Sequence, residues 1–144
     1  MIRELADYER AAHEVVATPE LLHDALFGPD PAVYALVAEE GETGELVGFA
    51  LWFRNLSTWL GRHGLYLEDL YVRPGHRGQG HGKALLSALA RIAVERGYGR
   101  FEWWVLDSLI DTRAFYDSLG AREMSEWTVR RLDGEALRRL AGGD

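Results

Sequence analysis

Apolar positions recur along this chain with two different periods, and the switches between them mark out the elements. Ile2, Leu5, Ala12 and Val16 lie roughly on one helical stripe, so the chain opens inside a helix. Thr18-Pro19 reads as an N-cap followed by proline at the first helical position, and Gly28 closes that helix. Ala32 to Glu39 and Leu46 to Phe53 read as strands of a hairpin joined by Gly41-Glu42-Thr43-Gly44. Leu65 to Val72 is a third strand, ending at Arg73-Pro74-Gly75. The helical period returns at Ala84-Leu85, Ala88-Leu89 and Ile92-Ala93, with Gly97 as the stop. Phe101 to Leu106 is an aromatic-rich strand. Asp111 caps a short helix through Leu119, ended by Gly120. Glu123 to Arg131 reads as a last strand, and Asp133 caps a C-terminal helix. Helices, antiparallel strands, then strand–helix–strand–helix–strand is the order of an α+β fold with a mixed sheet, expected as one domain over residues 1–144.

Composition narrows the class. With 47% hydrophobic and 27% charged residues, the 144-residue chain has the profile of a soluble globular domain able to bury its own core. It has no cysteine, which excludes a disulfide framework and a cysteine-ligated metal. The longest apolar run, Leu46 to Phe53, is too short to span a bilayer, and no signal-peptide pattern opens the chain, so a cytoplasmic protein with no membrane partner is expected. The net charge of −7, from 23 acidic and 16 basic residues, argues against sequence-independent nucleic-acid binding, which needs a basic surface. A negative field suits cationic partners, and it suits plain solubility equally well.

The segment with the most chemical content is Arg77-Gly78-Gln79-Gly80-His81-Gly82-Lys83, between a strand and an amphipathic helix. Alternate glycines let backbone approach a ligand closely, and the following helix adds its positive N-terminal end, so the segment suits a pyrophosphate. Two phosphate motifs are excluded. A P-loop needs glycine where Arg77 stands and Ser/Thr where Ala84 stands. A dinucleotide fingerprint starting at Gly78 needs glycine where Lys83 stands. A bare turn needs one or two glycines, not three alternating behind an arginine.

Arg77-Gly78-Gln79-Gly80-His81-Gly82 does resemble the Arg/Gln-x-x-Gly-x-Gly/Ala signature of the GNAT acetyltransferase superfamily. The likeness extends over nearly the whole chain. Ile2 to Glu9 is similar to the end of the first helix of the diamine (spermidine/spermine) and thialysine branch, and Leu65-Tyr66-Leu67-Glu68-Asp69-Leu70-Tyr71-Val72 to its central strand. Phe115-Tyr116 through Leu119-Gly120-Ala121, Glu126-Trp127 and Leu132 to Leu137 also match in kind. The resemblance implies a mixed, mostly antiparallel sheet flanked by helices, acetyl-CoA as cosubstrate, no metal, a homodimer, and direct acetyl transfer in a ternary complex to a primary amine of a small polycationic substrate. Other acceptors, such as an antibiotic amine or a protein lysine, and a degenerate acyl-CoA-binding or regulatory domain, are the alternatives.

Residue roles follow from the same resemblance. Leu70, Tyr71 and Val72, with Arg77, Gly78, Gln79, Gly80, His81, Gly82 and Lys83, would bind the cofactor. Glu68 would bind substrate and act as base, directly or through water, and Tyr116 would serve the departing thiolate. Tyr8, Glu9, Trp59 and Glu126 would complete the amine site, where acidic groups and aromatic faces suit an ammonium. Two points come from the residues themselves. Glu68 and Asp69 are adjacent, so on a regular strand they point to opposite faces. Tyr116 falls one position off the stripe marked by Phe115 and Leu119, which sets it apart from that helix's core face. The five histidines show no metal-ligand spacing, and Trp103-Trp104 read as core or dimer-interface residues.

The chain departs from the branch twice. Ser108-Leu109-Ile110-Asp111 stands where the branch has Trp-Asn-x-Pro, removing an asparagine contact to coenzyme A. The branch also begins with a strand and half a helix upstream of Ile2, so the first strand is expected to be missing and the strand at Ala32 to Glu39 to show an unpaired edge.

Overall fold

Strand pairing runs in the order β1-β2-β3-β4 in a computed structural model that describes every residue except Glu42, Gly143 and Asp144. β1 is Tyr34–Glu40, β2 is Glu45–Ser57, β3 is Arg62–Val72 and β4 is Phe101–Trp103. The first two pairs are antiparallel and β3/β4 is parallel, so the expected mixed, mostly antiparallel sheet is present. The chain divides into two units. Met1–Trp104 holds the sheet with α1 (Ile2–Tyr8), α2 (Pro19–Phe27) and α3 (His81–Glu95), and Val105–Asp144 holds α4 (Ile110–Ser118) and α5 (Gly134–Leu140).

Each face of the sheet is covered for a reason visible in the register. Gly48, Ala50 and Trp52 of β2 pair with Val72, Leu70 and Leu67 of β3 and share one face. α3 lies along it, with Gly82 at the Val72 end and the Arg96 guanidinium 5.5 Å from the Trp52 ring at the other. Its apolar stripe buries Leu85, Leu86, Leu89 and Ala93, as the spacing predicts. Leu89 is fully buried, and Leu89→Ala costs about 2–5 kcal/mol. On the opposite face Phe49, Leu51 and Tyr71 form a core cluster with Leu5 of α1. α2 is capped as its sequence announces, Thr18 Oγ1 accepting from the Leu21 N–H at 3.3 Å ahead of Pro19.

Several boundaries differ from the sequence reading. The opening helix stops at Tyr8: Arg10 takes a left-handed φ of 61°, and the Arg10 and Ala11 N–H groups turn back to the Asp7 and Ala6 carbonyls, which ends the helix in a Schellman motif. Ala12–Glu14 is a separate 3-10 turn and Val16 is exposed. β2 and β3 extend to a turn at residues 58–61, while β4 stops at Trp103, where its pairing with β3 ends. Glu123 to Arg131 is not a strand; no ladder partner exists for it among the described residues. Asp111 lies inside α4, whose N-cap is Leu109, and Asp133 precedes α5 without a side-chain cap bond. In the hairpin turn the Thr43 and Gly44 N–H groups reach the Glu40 carbonyl, and Glu42 lies outside the described residues. β1 has a strand neighbour on one side only among the described residues. No described helix is long and apolar enough to cross a membrane.

Candidate active site

Leu51 of β2 pairs with Asp69, and the next residue, Trp52, pairs with Leu67. Glu68 is therefore an extra residue in β3, a bulge. Side chains alternate along a regular strand, so Glu68 and Asp69 were expected on opposite faces; the extra residue cancels one alternation. Asp69 shares the Leu51 and Tyr71 face, two pairs from Tyr66, which sits opposite Phe53. The charge of Glu68 acts on the Asp69 carboxyl and on the Tyr66 phenol of that face.

The electrostatics follow from this placement. Burial pushes the Asp69 carboxyl up to about 6, and the charges of Glu68 and Glu9 add to the effect. Burial also raises the Glu9 carboxyl, at the C-terminal end of α1. The Tyr66 phenol is pushed up to about 12 by burial, then by Glu68 and Glu102, so it stays protonated. Asp69, repelled by Glu68 and Glu9, with Tyr66 on the same face and Trp104 edge-on to the Tyr66 ring at 5.8 Å, makes a site that gains from a cation.

Beyond the bulge the sheet opens. β3 pairs with β4 only from Leu65 to Leu67, so residues 68–72 have no strand on that side among the described residues. This free stretch leads through Arg73 and a 3-10 turn at Pro74–His76 into the glycine loop. Gly78 and Gly80 have φ of 75° and 89°, which L side chains rarely adopt, and an added Cβ at either meets nothing within 4 Å. The loop is thus an open cradle, not a packed turn. Gly80 is the N-cap of the 15-residue α3 and has no side chain, so the helix's first amides are left for a ligand. Arg77 is engaged: its Nε donates to the Val72 carbonyl at 2.8 Å, and its guanidinium stacks 4.5 Å over the Tyr8 ring and 5.6 Å from that of Tyr71. Gln79 Nε2 donates to the Gly75 carbonyl at 3.3 Å, bracing the loop.

The structure brings some expected residues together and separates others. Glu9 and Glu68 join Asp69, and Tyr8 and Tyr71 meet at Arg77. Tyr71 is buried in the core cluster beneath α1, while Leu70 and Val72 are half-buried on the other face. His81 and Gly82 are half-buried in the first turn of α3 and Lys83 is exposed. Trp59 sits at the turn before β3, 87% exposed, and Arg62 to Glu68 alone spans roughly 20 Å of strand. In the second unit Tyr116 is the buried residue of α4, at 9% exposed against 39% for Leu119, so it is not off the core face as its position suggested. Glu126 is exposed in a turn. Asp69 and Tyr66 lay within the Leu65 to Val72 strand but carried no role in the sequence reading; an acid pair in mid-strand was the available signal. Among the described residues Glu40, Glu45 and His76 offer ligand atoms within 4.8 Å of one another, but His76 pairs with Glu40 and Arg73 with Glu45, each at 3.3 Å.

The chain is similar to proteins already known. The chain is 40% identical to the thialysine N-epsilon-acetyltransferase of Sus scrofa over an alignment covering 99% of this chain and 88% of that one. It is 34% identical to the spermidine/spermine N(1)-acetyltransferase-like protein 1 of Homo sapiens over 98% of this chain and 21% of that one. Among solved structures it resembles an integron cassette protein from the mobile metagenome of V. cholerae, with a TM-score of 0.79 and 27% identity over 96% of this chain and 85% of the other. Residues 1–121 match the Acetyltransferase (GNAT) family, and the chain belongs to that family as an N-acetyltransferase.

Proposed function

We propose that this enzyme transfers acetyl from acetyl-CoA directly to a primary amine of a small substrate carrying more than one positive charge, such as thialysine or a diamine. The observation that carries the reading is the bulge at Glu68, beside which the charges of Glu68 and Glu9 both act on Asp69, upstream of a glycine loop open to a pyrophosphate. Acetyl-CoA supplies the activated acetyl thioester. Gly78, Gly80 and the first amides of α3 fit its pyrophosphate, and the unpaired stretch at residues 68–72 fits its extended arm.

An amine with a lysine-like pKa near about 10.4 is protonated in all but about one molecule in a thousand at neutral pH. The site must hold a cation and then remove its proton. Glu9 and Glu68 attract the ammonium. Asp69, pushed up to about 6, is matched to take a proton at neutral pH, and it shares with Glu68 the role of base that the resemblance gave to Glu68 alone. Tyr116 keeps the role of serving the departing thiolate, on the strength of the resemblance. The family match crosses both units and supports reading the chain as one catalytic domain. A homodimer is part of the same proposal, supported by exposed apolar side chains such as Phe27, Val37 and Trp59.

Acetyl-CoA consumption with a panel of thialysine, polyamines, an aminoglycoside and a lysine peptide tests the reading. Preference for the small polycations supports it. Preference for the aminoglycoside or the peptide selects those acceptors instead, and binding of acetyl-CoA without turnover on any amine selects a regulatory domain.

A further inference from the structure

Tyr8 was expected to touch the amine, but the structure gives its ring another partner. The ring is 43% exposed and stacks on the Arg77 guanidinium, which the Val72 carbonyl and the Tyr71 ring hold from other sides. Tyr8 is the last residue of α1 and Glu9 is its C-cap. The chain then turns sharply through left-handed Arg10, with two backbone bonds returning to Asp7 and Ala6. Such a closed turn leaves little backbone freedom between Tyr8 and Glu9, so a shift of the helix end that the Tyr8 stack holds carries Glu9 with it. Glu9 in turn acts on Asp69 in the amine site.

α1 does not need this stack merely to stay docked. Leu5 is buried in the core cluster, and Glu4 pairs with Arg73 at 3.4 Å one turn earlier. Glu4 and Tyr8, four residues apart on the helix, thus meet Arg73 and Arg77, four residues apart across the 3-10 turn. The first contact joins the helix to the end of the sheet, and the second joins it to the cofactor cradle.

We infer that Tyr8 is a positioning residue that couples the two substrate sites: an anion bound in the cradle fixes Arg77, Arg77 fixes the Tyr8 ring, and Tyr8 sets Glu9 against the amine. This rests on the acetyltransferase reading above. A stack on a flat ring and a flat guanidinium needs the ring and not the hydroxyl, so phenylalanine replaces tyrosine and leucine does not.

The test is calorimetry with coenzyme A, which cannot be turned over, and thialysine as the amine probe. In the wild-type protein coenzyme A tightens thialysine binding by about fivefold or more, the lower end of ordinary coupling between sites. Tyr8→Phe keeps that factor. Tyr8→Leu brings it close to one, with a melting temperature near the wild-type value. The inference is overturned if Tyr8→Leu keeps the factor, if it weakens thialysine equally with and without coenzyme A, or if the wild type shows no coupling. A wild type that binds no coenzyme A removes the acetyltransferase reading itself, and the wild-type titration shows this before any variant is made.

Discussion

Leu51 faces Asp69 across β2 and β3, whereas the next residue along β2, Trp52, faces Leu67. That slip of one residue leaves Glu68 unpaired and puts Asp69 on the Leu51 face with Tyr66, where the charge of Glu68 acts on both. A half-buried carboxylate beside two others is costly, and a bound cation would offset that cost.

The cost has a sign. Asp69 is pushed up to about 6 in the folded chain from an ordinary value near 3.8. A raised carboxyl contributes stability that is full below about pH 4 and lost as pH rises through about 6, because the folded state must then ionise a half-buried group. Asp69→Asn removes that cost. The variant should be more stable than wild type at pH 7.5 by about 1–2 kcal/mol, allowing for partial exposure, with the difference vanishing near pH 4. Urea unfolding at the two pH values measures it, and equal differences at both would contradict the assignment.

Activity should run the other way. On the proposed role of Asp69 as base, transfer needs its ionised form, so amine turnover by the wild type should rise with pH through about 6. In Asp69→Asn the same limb should flatten at a much lower rate. A pH–rate profile under saturating acetyl-CoA tests this.

Gly80 gives a test of the cradle. Its φ of 89° makes any side chain unfavourable by about 1–2 kcal/mol, yet nothing lies within 4 Å of an added Cβ. Gly80→Leu should therefore still fold, with a lower melting temperature, and should lose coenzyme A binding because its side chain takes the pyrophosphate's space. Unchanged coenzyme A affinity in calorimetry would show that the loop is not the cradle.

Arg10 carries strain that glycine would not. At φ 61° it holds the one left-handed non-glycine conformation among the described residues, immediately after Glu9. Arg10→Gly should raise stability by up to about 1 kcal/mol in denaturant unfolding. No gain would mean that the arginine side chain makes a compensating contact.

Much of this was legible in the sequence, for local reasons. The cradle was readable because a left-handed backbone leaves glycine behind it, and α3 because its stripe of leucines faces one side. The bulge at Glu68 was not readable. Register is set by which residues of β2 and β3 meet, and Leu67-Glu68-Asp69-Leu70 carries no glycine to mark it. Arg10 hides the end of α1 for the same reason: an arginine in a left-handed turn gives no signal, and the apolar stripe runs on in the sequence to Val16. Glu123 to Arg131 reads as a strand in the sequence, but local sequence does not report whether a partner strand is there to pair with. Burial of Tyr116 rather than Leu119 likewise depends on packing that helical spacing alone does not fix.

The most direct measurement is acetyl transfer from acetyl-CoA to thialysine by the wild type, Glu68→Gln and Asp69→Asn side by side, with coenzyme A affinity recorded for each. The wild type should turn over. Removing the base should lower turnover by roughly two to four orders of magnitude while coenzyme A affinity stays unchanged. Wild-type rates in both variants, on this or any better amine, would contradict the claim that the bulge carboxylates carry the chemistry.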